Sequence, residues 1–302
     1  MIKVLITGAT GLVGKEIVKQ CFEQKYSVHY LTTSKAKIVS KKNYQGFYWN
    51  PSKNEIDISC LEGVTTIIHL AGASIAQRWT DKNKINILKS RVESASILFN
   101  LLKNQSHQVE QFISASAIGI YPHSLINFYS ENTKEKSTSF LGQVVSEWEK
   151  SANQFTKLDI KVSKVRVGLV LDVEEGALPK IVNPIKFGLG SAFGSGKQWQ
   201  SWIHKTDVAG IFMYILNNRL KGVFNAVAPN PITNKELTKQ LAKLLKRSLF
   251  LPNIPKFVMK LILGEMHILL FESQRVNSKK IEDLGYQFKY YCIKPALENL
   301  LK

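Results

Sequence analysis

Lys3-Val4-Leu5-Ile6-Thr7-Gly8-Ala9-Thr10-Gly11-Leu12-Val13-Gly14 is the stretch on which the fold turns. Its first five residues are an apolar run short enough for a strand buried on both faces of a parallel sheet. After Gly14, Ile17, Val18, Cys21 and Phe22 recur at helical spacing. Strand, glycine turn and helix in that order give the three glycines distinct tasks. Gly8 allows the tight turn, Gly11 allows a pyrophosphate close to the backbone, and Gly14 allows helix and strand to touch. The helix start then offers free N–H groups and the positive end of its dipole to an anion. A strand–helix turn that binds nothing is the alternative; three glycines at this spacing and place favour a dinucleotide.

Further along, Val28–Thr33 reads as a second strand. An acidic residue at the end of this strand would take the ribose 2′-hydroxyl of NAD. Here stand Thr32, Thr33, Ser34 and Lys35, with Lys37 beyond. Hydroxyls and ammonium groups suit a 2′-phosphate, so NADP is favoured and NAD stays possible; solvated loop residues are the other reading of the lysines. Val64–Gly72 is a third strand, ending in small residues (Leu70, Ala71, Gly72) over which a flat nucleotide could lie. His69, within it, reads as a buried, hydrogen-bonded histidine. A helix from Asp81 to Lys103 carries Asn86 and Arg91, the latter able to meet a phosphate or pair with an acid such as Glu93. Phe112–Ala117 and Val162–Gly168 are further strands, separated by a helix from about Ser139 to Phe155. Repeated alternation of this kind predicts an α/β fold with a doubly wound parallel sheet.

Composition narrows the classes. The 302 residues, 44% hydrophobic and 21% charged, exclude collagen-like and disordered chains. No apolar run reaches membrane-spanning length and no secretory leader is read, so a cytoplasmic protein is expected, with no membrane partner. Three scattered cysteines and no histidine cluster predict neither a disulfide framework nor a metal site. The net charge of +18 comes from lysines spread along the chain without a basic tail, so nucleic acid is not expected as a partner. A small-molecule substrate is expected; the sequence leaves the oligomeric state open.

Longer segments carry a resemblance. Thr7–Gly14, Tyr48-Trp49-Asn50-Pro51, Leu70-Ala71-Gly72, Arg78-Trp79-Thr80, Ser90-Arg91, Ser114–Gly119 and Trp148-Glu149 run through the first half. Phe187–Gly190, Gly194–Trp199, Ser201–His204, Asn225–Pro231 and Ser273–Val276 follow. With these the chain resembles the extended or atypical short-chain dehydrogenase/reductase superfamily, within its epimerase-like NAD(P)-dependent oxidoreductase subgroup with a DUF1731-type C-terminal region. The resemblance implies a Rossmann domain with cofactor contacts at Gly8, Thr10, Gly11, Leu12, Val13, Gly14, Thr32, Thr33, Lys35, Leu70, Ala71, Gly72, Asn86, Arg91, Ser114 and Val167. NADP-using relatives often carry arginine where Thr33 stands.

The superfamily's acid–base pair, Tyr-x-x-x-Lys on a helix, is missing: its positions read Phe140 and Val144. Tyr290 and Lys294 have the spacing, but Pro295 disfavours helix there. Ser116, matching the superfamily's serine, and Tyr121 remain as candidate catalytic residues, each with a packing alternative. Trp199, Trp202 and His204 are candidates for the substrate side, with core packing as the alternative for the tryptophans. Residues 1–170 plus about 205–228 form the expected nucleotide-binding part. The smaller substrate-side part is 171–204 plus 229–302. The chemistry expected is hydride transfer on an unidentified carbonyl or sugar-nucleotide substrate; the alternative is a catalytically silent NAD(P)-binding regulatory or scaffold protein.

Overall fold

Residues 2–302 are described by a computed structural model. Its strands β1 (Lys3–Thr7), β2 (Ser27–Thr32), β3 (Tyr44–Asn50), β4 (Thr66–His69), β5 (Gln111–Ala117), β6 (Lys161–Val167) and β7 (Gly222–Ala226) all pair in parallel. They lie in the order β7-β6-β5-β4-β1-β2-β3, and short antiparallel strands at Ser40–Lys41 and Glu55–Ile56 extend the β3 edge. The chain thus winds outward from β1 to one side and then returns to its other side. That reversal leaves a crevice over the C-terminal ends of β1 and β4, where such sheets take their ligands.

Side-chain alternation decides the two faces. Val4 and Ile6 of β1 point to the layer made by α1 (Leu12–Glu23) and, much later, α5 (Lys205–Asn217), with Ile17, Val208, Ile211 and Phe212 fully buried there. Leu5 points the other way, toward α2 (Asp81–Asn104) and α3 (Phe140–Asn153), where the Phe112 and Phe155 rings stack at 3.7 Å. A fully buried side chain of this size contributes about 1.5–3 kcal/mol.

After β6 the chain leaves the main sheet. Leu169–Leu171 pairs instead with Trp202–His204, around a separate core shared by α4 (Leu178–Lys186), α6 (Asn234–Leu244) and the C-terminal residues Ala296 and Leu297. Next come α7 (Lys256–Leu263) and the short α8 (Ile268–Phe271). Beyond α8, Ile281 and Phe288 return to the core beneath β1, and the Asp207 carboxylate accepts the backbone N–H groups of Lys289 and Tyr290. Among the described residues, no helix is long and apolar enough to cross a membrane.

One strand runs shorter than its sequence pattern: that expected over Val64–Gly72 is Thr66–His69, and Leu70–Gly72 form the loop above it. The strand β3 has no counterpart among the expected elements. Its glycine explains both the omission and the fold, because a Cβ on Gly46 would stand 2.5 Å from the Tyr30 phenol of β2. That phenol donates to the Lys37 carbonyl and accepts from the Val39 N–H. Gly46→Val is expected to lower the unfolding free energy by about 1–3 kcal/mol, read as a lower urea midpoint with unchanged m-value.

Candidate active site

The glycine turn sits at the reversal of strand order. Gly8 adopts φ 72°, and its carbonyl accepts the Gly11 N–H at 3.1 Å. A Cβ on Gly14 would lie 2.2 Å from that carbonyl oxygen and 2.8 Å from the Ala9 Cα, so only glycine lets α1 approach β1 this closely. Gly11 is different. A Cβ there would touch only the Gly8 oxygen, at 3.4 Å, and otherwise face open space. No side chain caps the start of α1 and no acid lies in its first turn. Its orphan N–H groups and dipole are left for an external anion.

Beside the turn, the strand ends are tied together. The Thr7 Oγ1 accepts the Leu70 and Ala71 N–H groups at 3.0 Å each and lies 2.9 Å from His69 Nδ1. With both lone pairs used, the hydroxyl must donate to Nδ1, so the His69 proton sits on Nε2, facing Ser94 Oγ. Burial and the nearby Arg91 charge drive the His69 pKa down to about 3. This histidine is a neutral structural bridge.

Arg91 projects from α2 over Gly72. Its Nη1 donates to the Ala73 and Ile87 carbonyls, and its guanidinium lies 4.9 Å from the Trp148 ring. It pairs with no carboxylate among the described residues, Glu93 included, and its Nε is buried without a partner. Burial lowers its pKa to about 10. Of the remaining expected cofactor residues, Thr10, Thr33, Lys35 and Asn86 are exposed. Lys35 lies 5.2 Å over the Tyr48 ring, and Thr32 Oγ1 accepts the Ser34 N–H. Pairing sets His69 against Ser114 and Ala117 against Val167 along the sheet edge. Leu12 and Val13, in the first turn of α1, are half-buried.

The candidate catalytic hydroxyls are both engaged below that edge. Ser116 donates to Glu149 of α3 at 2.7 Å, and Glu149 takes two further bonds from Arg166 of β6, at 2.8 and 3.0 Å. Arg166 also donates to the Tyr121 hydroxyl, which donates to Asn225 on β7. Ser116 and Tyr121 are 2% and 1% exposed, so both serve the interior ion pair. Phe140 and Val144 join an apolar cluster with Trp79, Ile87 and Leu141.

The substrate-side residues are not brought together. Trp202 is fully buried in the third core and donates to the Asn230 carbonyl, so it forms no cleft wall. His204 is buried at the start of α5, where Nδ1 accepts the Thr206 N–H; burial and the neighbouring Lys205 hold its pKa near about 4. Trp199 is half-buried, with Arg275 packed 4.4 Å over its ring. The Glu149–Arg166 pair escaped the sequence reading. Its signals were there: an arginine within an apolar strand and a glutamate beside Trp148 on the buried face of a helix.

Burial opposes the Glu149 charge, but the Arg166 bonds, the Arg166 charge and the Ser116 hydroxyl outweigh it and hold the carboxyl below its ordinary value. A depressed value adds stability above the unfolded pKa of about 4.3 that is lost as pH falls through the folded one. Glu149→Gln, which strands Arg166, is expected to cost about 3–5 kcal/mol near neutrality. Denaturant melts from pH 7 down to pH 3 should also show a shallower acid decline in the variant.

Comparisons with known proteins follow the same lines. Residues 4–143 match the NAD dependent epimerase/dehydratase family, and residues 254–300 match a domain of unknown function, DUF1731. An epimerase family protein of Staphylococcus aureus (strain N315) is 35% identical over 302 residues, covering 99% of this chain and 98% of the relative. The human epimerase family protein SDR39U1 (isoform 2), crystallised with NADPH, superposes with a TM-score of 0.86 at 25% identity over 99% of both chains. A nucleoside-diphosphate sugar epimerase from Corynebacterium glutamicum gives 0.80 at 28% identity, over 99% of this chain and 58% of the other. With more than a third of its residues shared along almost its whole length, the chain belongs to the epimerase family.

Proposed function

We propose that this protein binds NADP(H) and uses it for hydride transfer on a small carbonyl or sugar-nucleotide substrate, as an oxidoreductase or an epimerase, in the cytoplasm. The observation that carries the reading is the start of α1, uncapped and free of acids, with open space over Gly11. Diphosphate fits that cradle through backbone N–H groups alone. Arg91, a buried cation lacking a counter-ion, adds positive charge on the α2 side of the crevice. Thr32, Thr33 and Lys35 close β2 with hydroxyls and an ammonium group, which favours a 2′-phosphate over the bare ribose of NAD. The human relative crystallised with NADPH supports the same preference. We assign the nucleotide to residues 1–170 plus 205–228, and the substrate to the crevice shared with the remainder.

When bound, the nicotinamide supplies a hydride donor or acceptor. The protein's own part is positional: Thr7 and His69 lock the loop that would lie under the nucleotide, and the Ser116–Glu149–Arg166 bonds stiffen the ends of β5 and β6. A second reading, a silent nucleotide-binding protein, draws support from Phe140, Val144 and the sequestered hydroxyls of Ser116 and Tyr121.

Gly11 has extended backbone angles, φ −82° and ψ 174°, that any residue adopts. Gly11→Val is therefore expected to fold normally, its urea midpoint unchanged, while NADPH affinity by fluorescence titration falls at least about 100-fold. That loss corresponds to about 2.8 kcal/mol. Lys35→Glu is expected to weaken NADPH while leaving NADH unaffected, narrowing the ratio of the two dissociation constants. Turnover of carbonyl or nucleotide-sugar probes by NADPH oxidation separates the enzyme from the silent protein.

A further inference from the structure

Phe140 and Val144 themselves carry no group that moves a proton, and the C-terminal segment covers their face of α3. Met266, Ile268 and Leu269 pack with Trp79, Phe140 and Val144, and Glu265 pairs with Lys84 of α2. The chain leaves α8 at Glu272, which turns to extended backbone, φ −63° and ψ 144°. There Oε2 accepts from Gln274 Nε2 at 3.0 Å. The same amide reaches the Tyr121 carbonyl at 3.4 Å, which links Glu272 to the segment leaving β5. Ser139, the residue before Phe140, lies beside the carboxyl, as does His123. His123 Nδ1 accepts the Ser273 N–H at 3.0 Å.

Glu272 is half-buried and, like most of the acids, takes no ion pair among the described residues. Burial raises its pKa against the opposing pull of Gln274, His123 and Ser139, so the carboxyl holds its proton closer to neutrality. The facing groups are His123 from the connection after β5, Ser139 from the start of α3 and Gln274 from its own segment. The nearest ion pair on the covering segment, Lys84–Glu265, is closed on itself.

We propose that Glu272 is the catalytic acid–base residue of this protein, exchanging a proton with the oxygen of a secondary alcohol or its ketone. The proposal rests on the NADP(H) reading above. In the oxidising direction the substrate O–H bond breaks and its proton passes to a Glu272 carboxylate oxygen. The electron pair left on oxygen forms the C=O bond, and the carbinol C–H pair departs as hydride to the oxidised nicotinamide nucleotide. Reduction runs the same bonds backward, with Glu272 starting protonated.

The test compares wild type, Glu272→Gln and Glu272→Asp as full chains. Phenanthrenequinone with NADPH is the ketone probe; UDP-glucose and UDP-glucuronic acid with NADP are the alcohol probes. Glu272→Gln is expected to lower kcat at least about 100-fold, with KM and NADPH affinity held. The reduction rate of wild type should fall as pH rises through the Glu272 value, and this limb should vanish in Glu272→Gln and survive in Glu272→Asp. Independently of turnover, the 13C-carboxyl resonance missing from Glu272→Gln should titrate above the ordinary glutamate value of about 4.3. Wild-type kcat in Glu272→Gln, or a titration at or below that value, would each overturn this proposal alone. A wild type that binds NADPH and turns over none of the probes would overturn the hydride-transfer reading and this proposal with it. A wild type that binds no NADPH would overturn the cofactor reading and this proposal with it.

Discussion

The contact between Gly14 and the Gly8 carbonyl governs the molecule, because it lets α1 lie directly against the end of β1. Any side chain there would lever the helix away from the strand. Its start would then no longer point over the reversal of strand order. The same approach seats Ile17, Val18 and Cys21 against Val4 and Ile6, so the largest core and the candidate site depend on one close packing of backbone. Thr7 completes the arrangement from the other side by holding Leu70 and Ala71 with a single hydroxyl. Rigid backbone on both sides suits the proposed site, in which main-chain N–H groups would do the binding.

Two buried arginines show opposite solutions to the cost of desolvating a cation. Arg166 meets Glu149 in a two-bond fork and spends its remaining Nη1 on Tyr121, so the charge is neutralised inside the protein. Among the described residues Arg91 has only carbonyl oxygens and the Trp148 face, and its Nε has no partner. Leaving a charge uncompensated is costly. The fold tolerates it beside the crevice, where an anion would supply what the protein withholds.

The apolar pair Phe140 and Val144 of α3 has a structural consequence. A tyrosine and lysine at 140 and 144 would need solvent or partners. Phenylalanine and valine instead let Met266, Ile268 and Leu269 close over the helix. The C-terminal region is thereby drawn against the site and brings its own polar residues with it. The end of α8 and the connection after β5 share hydrogen bonds through Gln274, His123 and Ser273, so these two segments behave as one wall.

By itself, the sequence determined the doubly wound class, the glycine turn between β1 and α1, and the apolar pair at 140 and 144. These are local matters: strand and helix periods and the steric freedom of glycine act over a few residues. It also sufficed for the bland reading of His69, since a histidine inside an apolar strand needs only nearby partners. Tertiary structure alone decided the rest. β3 was hidden because Gly46 answers to Tyr30 on a neighbouring strand. Trp202 and His204 were candidates for ligand contact, with core packing already the stronger reading of Trp202, and packing with residues far along the chain buries both. Ser116 and Tyr121 looked available because Glu149, Arg166 and Asn225, tens of residues away, take up their hydroxyls. A polar side chain's role is set by which partners reach it first, and only the folded chain fixes those distances.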